Sequence, residues 1–124
     1  MNTLVPTPPR TPPPPAEAEP EDSQMILVHG TAPAAEGNLD ELLEASRAHV
    51  ARSLTEPGCL SHEVTVGADD PNRLVFLERW EDMAALQAHF EVPASREFGA
   101  AVARLTDGAF TLEMFEAEEL AGGG

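Results

Sequence analysis

The stretch Arg73 to Trp80 reads as a β-strand that is apolar on both faces, and it narrows the possible folds more than any other stretch. Side chains alternate along a strand, so Leu74 and Phe76 share one side while Val75 and Leu77 share the other. A sheet built around it must be covered twice. Cys59 to Val66 alternates in the same period. The residues between them, Gly67-Ala68-Asp69-Asp70-Pro71-Asn72, have turn chemistry, so an antiparallel hairpin is expected.

The remaining elements follow from periodicity and punctuation. Met25 to His29 is a short apolar run ended by Gly30, expected as a buried strand, with a loop over Thr31 to Gly37. Asn38 followed by Glu41 has the spacing of a capping box. Leu39, Leu42, Leu43, Ser46, Val50 and Leu54 then trace one helical stripe that ends at Pro57-Gly58. Asp82 is expected to cap a short helix carrying Met83, Leu86 and Phe90. Pro93 breaks it, and Phe98, Ala101, Val102 and Leu105 mark a second helical piece. Asp107-Gly108 is a turn, and Phe110 to Phe115 is the last strand. The order β-α-β-β-α-β predicts an α+β, ferredoxin-like domain with helices on one side of an antiparallel sheet. The simplest cover for the other side is the same surface of a second copy, so a homodimer is expected.

The domain occupies residues 25–120 of a 124-residue chain. Residues 1–24 hold eight of the twelve prolines and the acidic run Glu17 to Asp22, and are expected to form an extended, disordered tail; residues 121–124 are expected to fray. Net charge is −15, with seven basic residues against 22 acidic ones, which argues against nucleic-acid and anionic-membrane partners. There is no apolar run of membrane-spanning length, and prolines stand where a secretory signal would be apolar. A cytoplasmic protein is expected. The single cysteine, Cys59, excludes an intrachain disulfide, and its place beside Pro57-Gly58 is read as structural.

The stretches Glu56-Pro57-Gly58-Cys59-Leu60-Ser61-His62-Glu63-Val64 and Asp69 to Asp82, with Glu78-Arg79-Trp80-Glu81 inside the second, resemble the centre of antibiotic biosynthesis monooxygenase domains. Ala85 to Phe90, Pro93 and Arg96 to Phe98 continue the likeness, which covers nearly the whole chain after the tail. The resemblance implies a dimeric α+β barrel with a pocket between sheet and helices in each subunit. It also implies a monooxygenase that oxidises a small phenol, quinol or polyketide-derived aromatic with molecular oxygen and needs no metal or flavin cofactor. The alternative within the family is a non-oxidative barrel that binds or cyclises such a ligand.

Trp80 is the best-matched position of that family. The asparagine, tyrosine and arginine of its polyketide-oxidising members are replaced here, by Phe76, by Leu86 and by Gly99 or Ala100. The haem-degrading branch needs an asparagine on the first strand and a histidine on the late helix; neither stands in His29-Gly30-Thr31 or Phe98-Gly99-Ala100. His89, Trp80 and His62 are the candidate catalytic residues, because an imidazole titrating near neutrality suits removal of a phenolic proton. Leu27, Phe76, Leu86, Phe90 and Phe98 are the candidate pocket wall. The four histidines (His29, His49, His62 and His89) show no H-x-x-x-H or Cys/His spacing, so no metal site is expected.

Overall fold

The computed structural model describes residues 24–120. The expected disordered tail, apart from Gln24, and the expected frayed end at 121–124 lie outside the described residues. Seven elements follow in order: β1 (Met25–Pro33), α1 (Leu39–Ser53), β2 (Cys59–Val66), β3 (Arg73–Trp80), α2 (Met83–Glu91), α3 (Pro93–Leu105) and β4 (Thr111–Ala117). The strands form one antiparallel sheet in the order β2-β3-β1-β4, which is the expected ferredoxin-like α+β arrangement.

Two local expectations are corrected. β1 does not end at Gly30 but runs to Pro33, because Gly30 is paired on both sides, with Phe76 of β3 and Leu112 of β4. A Cβ there would lie 3.3 Å from the Thr111 carbonyl oxygen, so the glycine permits a close strand approach and is no terminator. Asn38 stands at the start of α1 without a capping bond from its side chain. Its amide donates instead to the Leu105 carbonyl at 3.2 Å, and Glu41 pairs with Arg104 at 3.1 Å. Both side chains thus tie α1 to α3. Asp82 caps α2 as expected, accepting from the Ala85 amide at 2.8 Å, and Pro93 opens α3 at a position where its missing N–H costs nothing.

The helices cover the sheet face that carries Ile26, Val28 and Ala32 of β1 and Leu74, Phe76, Glu78 and Trp80 of β3. Two apolar clusters form there. One holds Ala32, Leu42, Leu74, Phe76, Val102 and Leu105; the other holds Ile26, Val28, Trp80 and Leu86. On the opposite face Leu77 and Phe115 stay exposed, at 41% and 48%. β4 is exposed along nearly its whole length. Among the described residues, no helix is long and apolar enough to cross a membrane.

Candidate functional site

Between the two apolar clusters lies a polar layer. Glu78 falls between Phe76 and Trp80 on the covered face of β3 and is buried, and His62 of β2 stands directly opposite it in the hairpin register. His49 reaches the same layer from α1 and His89 from α2. The ring centres of His49 lie 5.2 Å from His62 and 5.0 Å from His89, and His62 and His89 are 6.0 Å apart. Three of the four histidines meet, all buried, with one nitrogen of each within 4.8 Å of the others. The expectation of scattered histidines is therefore corrected. Spacing rules detect ligands that share an element, and here three elements supply one ring each.

The hydrogen bonds assign the tautomers of two rings. Arg52, one turn after His49 on α1, donates to His49 Nδ1 at 2.8 Å and to the Ala94 carbonyl at 3.3 Å. A guanidinium only donates, so His49 Nδ1 is the acceptor and its neutral ring carries the proton on Nε2. Glu56 Oε1 lies 2.7 Å from His89 Nδ1. A carboxylate only accepts, so His89 carries a proton on Nδ1, and in its neutral form the acceptor nitrogen is Nε2. His62 differs from both. Its Nε2 is 3.4 Å from Glu78 Oε2, yet neither of its buried ring nitrogens has a directed hydrogen-bond partner. We read the 3.4 Å approach as a contact, because it is longer than a charge-assisted bond and lacks the geometry of one.

Pro57-Gly58 explains how Glu56 comes to His89. Gly58 has φ +83°, and a Cβ on it would lie 2.5 Å from the Cβ of Ala85. The corner packs its bare backbone against the start of α2, where the Glu81 amide donates to the Gly58 carbonyl at 2.8 Å. Glu56, immediately before that corner, then falls beside a helix that begins 27 positions later in the chain.

Burial sets the charges of the layer. It lowers the His49 pKa from 6.5 to about 3, helped by His62, His89 and Arg52, and that of His62 to about 4, helped by His89. The Glu78 carboxyl is raised, first by burial, against the hydrogen bond that Trp80 Nε1 donates to it at 2.9 Å. Burial also raises the Cys59 thiol, which removes thiolate character and fits its structural reading.

A cavity of about 160 Å³ opens beside this layer. Its wall is mostly apolar, with Phe76, Phe90, Phe98, Val102, Phe110 and Leu112 in it, and its polar residues include His49, Glu78, His89 and Ser95 beside Thr31 and Thr111. Phe98 stacks on His49 at 4.1 Å with the planes 9° apart. Of the expected pocket residues, Phe76, Phe90 and Phe98 line the cavity, as does His89. Leu27 does not: the pairing of β1 puts it on the opposite face from Ile26 and Val28. Leu86 and Trp80 are fully buried in the second apolar cluster, and Trp80 packs over the ring of His89 at 4.6 Å. His62 lies in the polar layer without lining the cavity. Glu56 and His49 were not among the expected residues. Their signal was the pair of potential partners on α1 and at the Pro57-Gly58 corner, which is visible only once α1 and α2 are docked.

The family model for antibiotic biosynthesis monooxygenase matches residues 25–103. An uncharacterised protein of Synechocystis sp. is 32% identical over 73 residues, which make up 59% of this chain and 50% of that protein. The chain thus spans about half the length of the curated relative it matches. A structure from Caulobacter crescentus, provisionally assigned as an antibiotic biosynthesis monooxygenase, superposes with a TM-score of 0.72 and 26% identity, covering 80% of this chain and 94% of that one. A protein from Shewanella oneidensis superposes with a TM-score of 0.70 and 26% identity, over 76% of this chain and 91% of that one. A provisionally assigned monooxygenase of Deinococcus radiodurans, 23% identical with a TM-score of 0.72 over 78% and 96% of the two chains, shares the fold.

Proposed function

The chain belongs to the antibiotic biosynthesis monooxygenase family, and from that premise we propose that it oxidises a small phenol, quinol or polyketide-derived aromatic with molecular oxygen, using no bound metal or flavin. The observation that carries this reading is the Glu56–His89 pair, a 2.7 Å contact at Nδ1 of a histidine that lines an apolar cavity. A cavity of about 160 Å³ is close to the roughly 150 Å³ that accepts a benzene ring. A single-ring phenol therefore fits best.

His89 takes the phenolic proton, and Glu56 stabilises the imidazolium that results. The phenolate passes an electron to oxygen, and the two radicals join at the ring carbon para to the hydroxyl. Loss of the hydrogen from that carbon breaks the O–O bond and releases hydroxide, which takes the proton back from His89, leaving a quinone, one water and the neutral imidazole. Phenol plus O₂ gives quinone plus H₂O, with all four electrons coming from the substrate, so the balance needs no reductant. The apolar walls keep bulk water from the intermediates. A second copy covering Leu77 and Phe115 would complete the domain as a homodimer. The free Cys59 fits a reducing, cytoplasmic setting.

The test is oxygen uptake and quinone formation by the full chain in chelator-treated buffer, with a panel of phenols and quinols. Uptake that falls in His89→Ala and in Trp80→Phe supports the reading. Saturable binding of the same aromatics without uptake favours the non-oxidative binding or cyclising barrel, a reading motivated by Phe76 and Leu86 at positions where related oxidising enzymes carry polar groups.

A further inference from the structure

Neutral buried imidazoles normally find hydrogen-bond partners, and here the three rings of the polar layer make none with one another. His62 is 4% exposed with both nitrogens unpartnered, and its neighbours bring a ring nitrogen of each within 4.8 Å. From this convergence we infer that His49, His62 and His89 form a site for one divalent transition-metal ion of the zinc class, with a fourth coordination position facing the cavity. This goes beyond the proposed oxidation and does not rest on it. The two meet at one atom, the Nε2 of His89, which cannot serve as base and ligand at once. A bound ion would silence deprotonation by that ring.

The geometry can be checked against what such an ion needs. Zinc sits about 2.0–2.1 Å from imidazole nitrogen and prefers tetrahedral angles, which separates the centres of two ligating rings by about 5.2 Å. The three observed separations are 5.2, 5.0 and 6.0 Å. Three nitrogens at the 4.8 Å limit surround a point about 2.8 Å from each, so each ring must close by about 0.7 Å to bind. Small rotations about the side-chain torsions supply that.

The surroundings also fit. The Glu56 carboxylate on His89 Nδ1 is the outer-shell partner that fixes a ligating ring and directs its other nitrogen at the metal. Glu78 adds a second acidic group beside His62. The Arg52 bond to His49 Nδ1 opposes binding, because His49 must move its proton from Nε2 to Nδ1 and release the guanidinium before Nε2 can ligate. That opposition makes a prediction of its own: removing Arg52 tightens the site.

The probe is Co²⁺, titrated into the chelator-stripped full chain without substrate. One equivalent should give the intense visible bands of a four-coordinate ion. His49→Gln and His62→Leu should each weaken binding by more than the ~10–100-fold expected for Glu56→Gln, the loss of an outer-shell partner. Arg52→Met should strengthen it by roughly tenfold. His29→Ala, on the exposed pair with Glu113, should change nothing. Far-UV circular dichroism checks that each variant folds; should a histidine variant unfold, the tightening in Arg52→Met, which keeps all three ligands, decides. No Co²⁺ binding by the wild type, binding retained in both histidine variants, or binding lost in His29→Ala overturns the site. Oxygen uptake measured in chelator is untouched by any of these outcomes, so the proposed oxidation fails or stands separately.

Discussion

Two neighbouring parts of the same interior obey different rules. Around Leu42, Leu74 and Leu105 the buried cluster is built from apolar side chains, and each fully buried leucine contributes roughly 1.5–3 kcal/mol. One step further along the same face of β3, Glu78 replaces that chemistry with a buried carboxyl, three imidazoles and the unpaired hydroxyl of Ser95. A buried polar group without a partner costs about 1–3 kcal/mol. The first region stabilises the fold, and the second weakens it at the same depth. An interior that gives up stability next to a cavity is the place to seek chemistry, and this is where the cavity lies.

Acid should separate the two regions most strongly. Folding lowers the pKa of His49 from 6.5 to about 3 and that of His62 to about 4, so between those limits the unfolded chain binds more protons. Stability is full above pH 6.5 and is lost as pH falls through the window toward 4 and 3. Each ring removes up to about 1.4 kcal/mol per pH unit, so the pair together removes about 4 kcal/mol between pH 6.5 and 4.5. Glu78, raised by burial, has the opposite sign and returns part of this in acid. Urea denaturation in chelator at several pH values measures the slope. A flat profile over that range would show that the rings are not held neutral in the fold.

The apolar region should respond to truncation and ignore pH. Leu74→Ala removes a fully buried side chain beside Leu42 and Leu105, and should cost about 3 kcal/mol with an unchanged pH slope. In the polar layer the matching change is Glu56→Gln, which keeps the shape but removes the charge that stabilises His89 as an imidazolium. Oxygen uptake with a phenol should fall by about 10–100-fold, or about 1.4–2.7 kcal/mol, with little effect on stability. If Glu56→Gln instead unfolds the chain while turnover per folded molecule is unchanged, the contact with His89 belongs to the fold and not to the reaction.

The apolar region was legible in the sequence, and much of the polar layer was not. Leu42 and Leu105 announce themselves by helical period, and Leu74 and Phe76 by strand alternation, since each signal is local. Period likewise marked Phe76, Phe90 and Phe98 as apolar positions, but it was the family resemblance that implied a common pocket for them. His49 carries no such signal: it sits on α1 as one polar residue among many, and becomes informative only when α1 lies over β2. Glu56 and His89 are 33 residues apart and meet because Gly58 lets a bare corner press on Ala85. Leu27 was misplaced for the converse reason. Period fixes which residues share a face but not which face is covered, and β1 turned Ile26 and Val28 inward.

The smallest expected effect is the sharpest test of the contrast. If the polar layer lowers stability, replacing its unpartnered member with an apolar side chain of similar volume should help the fold. His62→Leu removes two buried nitrogens that have no hydrogen-bond partner and places methyl groups between Phe76 and the rings of His49 and His89. Breaking a directed bond would be costly, but the 3.4 Å approach to Glu78 is not one, so little is lost. The variant should be more stable by about 1 kcal/mol at pH 7 in chelator, and its acid slope should fall to about half, since one of the two strongly shifted rings is gone. A loss of 1 kcal/mol or more would mean that His62 and Glu78 share a proton worth keeping, and the polar layer would then belong with the stabilising half of the interior.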